Sequence, residues 1–297
     1  MSTRLTFLAL AIWLCGCTAT KQQARMNSLK EQITTELSKQ KGTFAVAFKD
    51  LKTGEELLIN EHTSFHAAST MKTPVLLEAY KQAAEGKFSI TDSILVKNEF
   101  KSIVDGSLYS IAAEDDSDQE LHRLLGQKRT LYDLLYRMII QSSNLATNIV
   151  IEKLDAKNVT QTMRSLGMKD MQVLRGVEDT KAYRQGLNNT ATAYDLMVLF
   201  QHIAQGKAVS KKASQEMVKI LLDQKFKDII PSKLPTDVKV AHKTGWITGV
   251  RHDSGIVFLP DGRQYVLVLL SKELQDEPAG IAAMATVSEM IYKHMMR

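Results

Sequence analysis

Three short polar motifs are set far apart in this 297-residue chain: Ser69-Thr70-Met71-Lys72, Ser142-Ser143-Asn144 and Lys243-Thr244-Gly245. Their leading residues are separated by 73 and 101 positions. Singly each is weak, because Ser-x-x-Lys arises by chance in many proteins of this size. In this order they supply the parts of an acyl-transfer site: a nucleophile, a base beside it, an oxyanion trap and a holder for a substrate anion. Ser69 is the candidate nucleophile. Lys72, three residues on, shares its helical face one turn up, where the amine reaches the hydroxyl. Desolvated beside other cations, such a lysine sheds its proton and serves as base. Ser69 at a helix N-terminus also meets free backbone N–H groups and the positive end of the helix dipole. Pro74 limits how much earlier that helix can begin. The bland alternative is that Ser69 only caps a helix whose Lys72 is exposed.

The length suffices for a large core and for one or two domains. With 24% charged and 44% hydrophobic residues, the composition is that of a soluble globular protein and excludes disorder. The net charge of +5 is scattered among acids, without a basic stripe interleaved with aromatics, which argues against nucleic-acid binding. The acidic run Glu114–Glu120 reads as a solvated loop in preference to a metal site. No metal and no cofactor is expected.

Both cysteines, Cys15 and Cys17, lie at the extreme N-terminus. Arg4 provides a positive n-region, and Leu5–Leu14 is an apolar stretch too short for a stable bilayer anchor. Leu14-Cys15-Gly16-Cys17 then resembles a bacterial lipobox, which makes Cys17 the lipidated first residue of the mature chain. An ordinary cleaved signal peptide is the alternative. Thr18, where an Asp would signal inner-membrane retention, implies by that resemblance an outer-membrane anchor on the periplasmic side. Residues 1–16 are thus expected to be a signal peptide, 17–27 a lipidated tether, and 28–297 the catalytic domain. A cysteine-free domain outside the cytoplasm must be stabilised by packing alone.

Hydrophobic spacing gives a helix over Met26–Gln40 (Leu29, Ile33, Leu37) stopped before Gly42. Thr43–Lys49 alternates as a half-buried strand and turns at Lys52-Thr53-Gly54 into Leu57–Asn60. The middle reads as helices: Met71–Ala84, Thr130–Gln141, Leu145–Leu154, Val159–Leu166, Thr192–Gly206 and Ser210–Leu222. Strands return at Val238–His242, Arg251–Leu259 and Gln264–Leu270, the last two joined at Pro260-Asp261-Gly262, before a final helix, Gly280–Met295. Strands at both ends and helices between imply an α+β fold: one antiparallel sheet assembled from the two termini, flanked by helices, with an all-α part inserted. The sheet part is expected at about 28–68 and 207–297, and the helical part at about 69–206.

The three motifs together resemble the signature of class A β-lactamases and penicillin-binding proteins, with Ser143 standing where Asp is usual. The resemblance covers roughly Ser28 to Arg297 and implies the same α+β layout, with the active site in the groove between its two parts. It implies that Ser142 relays a proton to the leaving nitrogen, while Asn144 bonds the substrate's side-chain amide and holds Lys72. The residue at position 143 has a structural role in the family, so Ser143 bears on local stability more than on chemistry. Lys243 with the Thr244 hydroxyl makes a charge-assisted clamp for a substrate carboxylate. Gly245 leaves room along the strand edge, and the Trp246 N–H opposite that of Ser69 completes an oxyanion hole. The Trp246 ring reads either as groove wall or as packed core. Arg251 is a second candidate carboxylate partner.

The stretch Arg175–Asn189 is similar to the loop that carries the deacylating glutamate of class A enzymes. It has Arg175, Glu178 and Leu187-Asn188, but ten positions separate Glu178 from Asn188, where the family spacing is short. Glu178 is the candidate base for deacylation. Alternatively, Arg175 and Glu178 form only a loop-bracing ion pair, with Asp179 an alternative partner. The implied function is a serine hydrolase, a monomer, opening β-lactams through an acyl-enzyme on Ser69. The rivals are a penicillin-binding protein that acts on D-Ala-D-Ala peptides and deacylates slowly, and a non-catalytic sensing lipoprotein.

Overall fold

The computed structural model describes residues 22–297. The expected signal peptide and the expected lipidation site Cys17 fall outside the described residues. Among the described residues no helix is long and apolar enough to cross a membrane.

Five strands form one antiparallel sheet: β1 (Thr43–Asp50), β2 (Glu56–Ile59), β3 (Lys239–Ile247), β4 (Val250–Phe258) and β5 (Gln264–Lys272), in the order β2-β1-β5-β4-β3. The first strand of the chain therefore lies beside the last, Thr43 opposite Lys272 and Asp50 opposite Tyr265. The expected α+β architecture is the one found. Strand β1 is not half-buried, however. Its alternation separates two buried faces: Phe44, Val46 and Phe48 enter one core, Ala45 and Ala47 the other. Strand β5 repeats the division, with Tyr265, Leu267 and Leu269 on the first face and Val266, Val268 and Leu270 on the second. Side chains of period two in a sheet covered on both sides produce this pattern.

Against the first face lie helix α1, covering 22–37, and the C-terminal helix, with Leu29, Ile33 and Ile291 buried between them and the sheet. Against the second lies the helical region, comprising α2 (Lys72–Ala84), α3 (Leu131–Ile140), α4 (Asn144–Leu154), α5 (Ala156–Ser165), α6 (Ala193–Ala204) and α7 (Lys211–Leu222). The C-terminal helix, Glu277–Met295, is α8. Helix starts follow side-chain caps: Thr130 accepts from Asp133 N, Thr192 from Asp195 N and Ser210 from Ala213 N, each satisfying a donor that helix geometry leaves free.

Two features position the site. Strand β3, which carries Lys243 to Trp246, is an edge of the sheet, so its outer backbone groups have no ladder partner. The short pairing of Phe65–His66 with Thr190–Ala191 ties the chain just before Ser69 to the end of the Arg175–Asn189 loop.

Candidate active site

Ser69 does not open the long helix directly. It lies in a 3₁₀ turn, Ala68–Met71, that runs into α2 at Lys72. The turn is pinned from before: Thr70 N–H and its hydroxyl both donate to Ala67 O, at 3.0 and 2.6 Å, and Ala67 N–H donates to Asn189 O at 2.8 Å. Ala68 has φ +44°, in the left-handed region that non-glycine residues avoid. Ser142 (φ +59°) and Glu178 (φ +62°) share this region. Half of the six positive-φ non-glycine residues described thus belong to the site. Strain of this kind persists only where the surroundings over-determine the backbone.

Lys72 is completely buried. Its ammonium donates to Ser142 O at 2.6 Å, Ser142 Oγ at 3.1 Å and Asn144 Oδ1 at 2.9 Å. These contacts use all three of its donors, so its bonds run to the second motif and not to the Ser69 hydroxyl. Lys243, also fully buried, comes from β3 to the same oxygen, Ser142 Oγ, at 3.1 Å, and donates to Thr244 O at 2.8 Å. Loss of water pulls the Lys72 pKa down to about 7, although the Asp116 and Glu178 charges raise it. Lys243 is held well below the ordinary lysine range by burial and then by the neighbouring Lys72 charge, with Asp253 opposing. The three motifs converge on one hydroxyl.

Asn144 extends the chain of contacts outward, its Nδ2 donating to Glu178 Oε1 at 3.3 Å. Glu178 faces solvent at the open side of the cleft, while protein atoms around its carboxyl displace part of the bulk water. That desolvation, with the Asp115 charge, raises its pKa against the pull of Lys72 and Arg175. The Arg175–Glu178 ion pair, the alternative reading of this loop, does not form among the described residues. Arg175 is buried and donates to Leu187 O, Gly176 O and Asn188 Oδ1 at 2.9, 3.0 and 3.2 Å. Asp179 is not its partner either; it accepts from Ser102 Oγ and Ile103 N–H and caps Ala182 N–H.

The long spacing between Glu178 and Asn188 has a local cause. Thr180–Arg184 forms a short helix capped by Asp179, and this turn takes up the added residues while the ends of the loop stay together. Asn189 closes the base of the loop: its Oδ1 accepts from Leu174 N–H and Arg175 N–H, and its Nδ2 donates to Arg175 O. Asn148, one turn beyond Asn144 on α4, grips Val177 through its N–H at 2.6 Å and its carbonyl at 3.0 Å. Gly176 allows this grip, because a Cβ there would sit 2.3 Å from Asn148 Oδ1. Sequence reasoning missed Asn148 and Asn189, although for Asn148 the i, i+4 spacing from Asn144 places the two on one helix face.

The cleft over these groups has a volume of about 300 Å³ and is lined by His66, Ser69, Asn144, Glu178, Tyr183 and Trp246, among others. Trp246 is groove wall and not core: it is 57% exposed. The Arg251 guanidinium stacks 5.1 Å above its ring and pairs with Glu277 at 2.6 Å. Arg251 is thus already committed to a protein carboxylate. Gly245 brings β3 against the Ser69 turn: a Cβ there would lie 2.9 Å from Ser69 N and 3.0 Å from Thr70 N. No group of three or more His, Cys, Asp or Glu side chains among the described residues could hold a metal ion.

The acidic run is not the solvated loop that its charge suggests. Asp116 and Asp118 are buried, while Glu114, Asp115 and Glu120 face water. Asp118 is neutralised by Arg137 of α3 at 3.1 Å, and Asp116 turns toward the second motif.

The model of the β-lactamase enzyme family matches residues 28–295. The chain belongs to this family. A β-lactamase of Bacteroides uniformis is 26% identical over 305 residues, covering 96% of this chain and 97% of that one. The crystal structure of a β-lactamase from Sphaerobacter thermophilus superposes with a TM-score of 0.76 at 26% identity, over 90% of this chain and 97% of its own. The structure of a protein named PBP-A superposes with a TM-score of 0.77 at 25% identity, over 91% and 96%.

Proposed function

We propose that this protein is a serine β-lactamase, a hydrolase that opens the β-lactam amide through an acyl-enzyme on Ser69. The observation that carries the proposal is the convergence of Lys72 and Lys243 on Ser142 Oγ beside the cleft that holds Ser69 and Glu178. Kinship to the Bacteroides uniformis enzyme and to the Sphaerobacter thermophilus structure supports the same activity.

In this reading the substrate carbonyl lies between Ser69 N–H and Trp246 N–H, with the ring carboxylate toward Lys243 and Thr244. A Lys72 whose pKa is drawn down to about 7 is neutral in a substantial share of the molecules at neutral pH, and it takes the Ser69 proton as the oxygen attacks. Ser142 can donate its one proton to either amine while accepting from the other, so it passes a proton on to the departing ring nitrogen. The acyl-enzyme is then released by a water activated by Glu178. Asn144, bonded to both Lys72 and Glu178, holds the two bases at a fixed separation.

Location at the outer membrane through a lipid on Cys17 is part of this proposal and rests on the lipobox alone. Mass spectrometry of the N-terminal peptide from a bacterial host tests it; an unmodified N-terminus on a released periplasmic form refutes it.

A chromogenic cephalosporin tests the activity directly. Sustained turnover that Ser69→Ala abolishes is the expected result. Rapid covalent labelling by a fluorescent penicillin with almost no turnover points instead to a penicillin-binding protein. Absence of both leaves a binding protein.

A further inference from the structure

The second motif of this chain lacks the carboxylate that the family signature places between its Ser and Asn, and Ser143 stands there instead. A carboxylate nevertheless occupies the turn. Asp116, 3% exposed, accepts from Asn144 N–H at 3.0 Å and Asp118 N–H at 3.1 Å through Oδ1. Through Oδ2 it accepts from Leu145 N–H at 2.8 Å and lies 3.4 Å from Ser143 Oγ and 3.1 Å from His122 Nε2. Asn144 and Leu145 open α4, so one carboxylate satisfies two of the donors that a helix start leaves free and meets the positive end of its dipole. Ser143, for its part, caps Ala146 N–H at 3.2 Å.

We propose that the signature carboxylate of the Ser142–Asn144 turn has been relocated to Asp116, which acts as a positioning residue holding Asn144, and through it Lys72, in the acylating geometry. The proposal rests on the acylation reading above for its functional half. Its geometric half stands alone: Asp116 fixes the Asn144 backbone, and Asn144 Oδ1 receives the Lys72 ammonium at 2.9 Å. It also explains why Ser is tolerated, and even required, at 143. Ser143 Oγ lies 3.4 Å from Asp116 Oδ2, so an Asp at 143 would bring a second carboxylate against the first in a buried pocket, where like charges repel.

The test is a double-substitution cycle of Asp116→Asn, Ser143→Asp and the pair. Three quantities are read: thermal unfolding, the acylation rate with a fluorescent penicillin well below the unfolding range, and the titration of Lys72 by NMR in lysine-¹³C-labelled protein. Asp116→Asn is expected to slow acylation by about 10–100-fold, the size of a small misplacement of a catalytic group, and to lower the Lys72 midpoint. Ser143→Asp alone should also lower stability and slow acylation. Combined, the two should recover much of both losses and return the Lys72 midpoint, because the charge has moved back. Additive damage in the pair overturns the relocation. Loss of stability in Asp116→Asn without a change in acylation or in the Lys72 midpoint reduces Asp116 to a structural cap and overturns the positioning role. If the wild-type protein is not acylated at all, the functional reading fails, while the Lys72 titrations still decide the geometric half.

Discussion

Lys72 and Lys243 each place an ammonium nitrogen 3.1 Å from the same oxygen, Ser142 Oγ. Two buried cations on one hydroxyl repel each other, and neither has a carboxylate within ion-pair distance among the described residues. The least costly response is for one to lose its proton. Burial draws Lys72 down to about 7, which suits the base proposed above.

Acylation should therefore rise with pH through about 7, the value to which burial draws Lys72. The sign follows from the role. The group works when neutral and its pKa is depressed, so activity is present above about 7 and is lost as pH falls through it. Stability runs in the same direction: between that value and the ordinary lysine range the unfolded chain binds the extra proton, so stability rises with pH. The rate of fluorescent-penicillin labelling against pH checks the first statement, and a flat profile defeats it.

Ser142→Ala removes the shared partner of both lysines while leaving the backbone bond from Lys72 to Ser142 O in place. The expected loss in acylation is about 10²–10⁴-fold, the usual worth of a positioned proton donor, with the fold retained. Pre-steady-state labelling with circular dichroism separates the two effects.

Glu178→Gln should trap the acyl-enzyme, with labelling still fast and turnover down by about 10²–10⁴-fold. Deacylation in the wild type should fall with decreasing pH at a midpoint above the ordinary carboxylate range, because desolvation and Asp115 raise the Glu178 pKa. Arg175 is no substitute for this role, since a guanidinium stays protonated and offers no acceptor; its Nε, Nη1 and Nη2 donate to Leu187 O, Gly176 O and Asn188 Oδ1. A turnover loss below about threefold, far short of a general-base effect, would make Glu178 a bystander.

The sheet, the helical insert and the meeting of the three motifs through Lys72, Ser142 and Lys243 were legible in the sequence, because period-two and period-3.6 patterns and spaced motifs are local signals. Strand β1 shows where such signals end. Alternation reveals its two faces, but whether one face or both are covered depends on α1 and α8, whose packing no local pattern states. Asp116 shows the same limit for the site. In the run Glu114–Glu120 every acid has the same charge, and only the tertiary fold decides that Asp116 turns inward to Asn144 while Asp115 stays in water. The broken spacing after Glu178 was visible, but the short helix that absorbs it was not, because five residues with one Asp cap carry little periodicity.

Gly245→Ala would put a Cβ 2.9 Å from Ser69 N and 3.0 Å from Thr70 N, both backbone atoms that cannot rotate away. Strand β3 and the Ser69 turn must separate, at an expected stability cost of about 1–3 kcal/mol for overpacking. Acylation should suffer more than stability, by about 10²-fold or more, because the displaced groups are the proposed oxyanion donors. Parallel losses in the two measurements would argue against that role.

Gly176→Ala tests the loop from behind. The added Cβ would lie 2.3 Å from Asn148 Oδ1 and 2.9 Å from its Cγ. Asn148 cannot yield cheaply, since the same amide bonds Val177 N–H, Val177 O and the Tyr109 hydroxyl. The variant must therefore release Val177 and with it Glu178, the next residue, which is already held at φ +62°. Deacylation should slow by about 10–100-fold, as for other small misplacements of a catalytic group, with acylation unchanged because Lys72 and Ser142 are untouched. Pairing Gly176→Ala with Asn148→Ala separates two causes. If the clash alone matters, removing the Asn148 amide restores turnover. If the amide's grip on Val177 is what aims Glu178, the pair stays slow, and this is the expected outcome, read as persistence of the acyl-enzyme after a penicillin pulse.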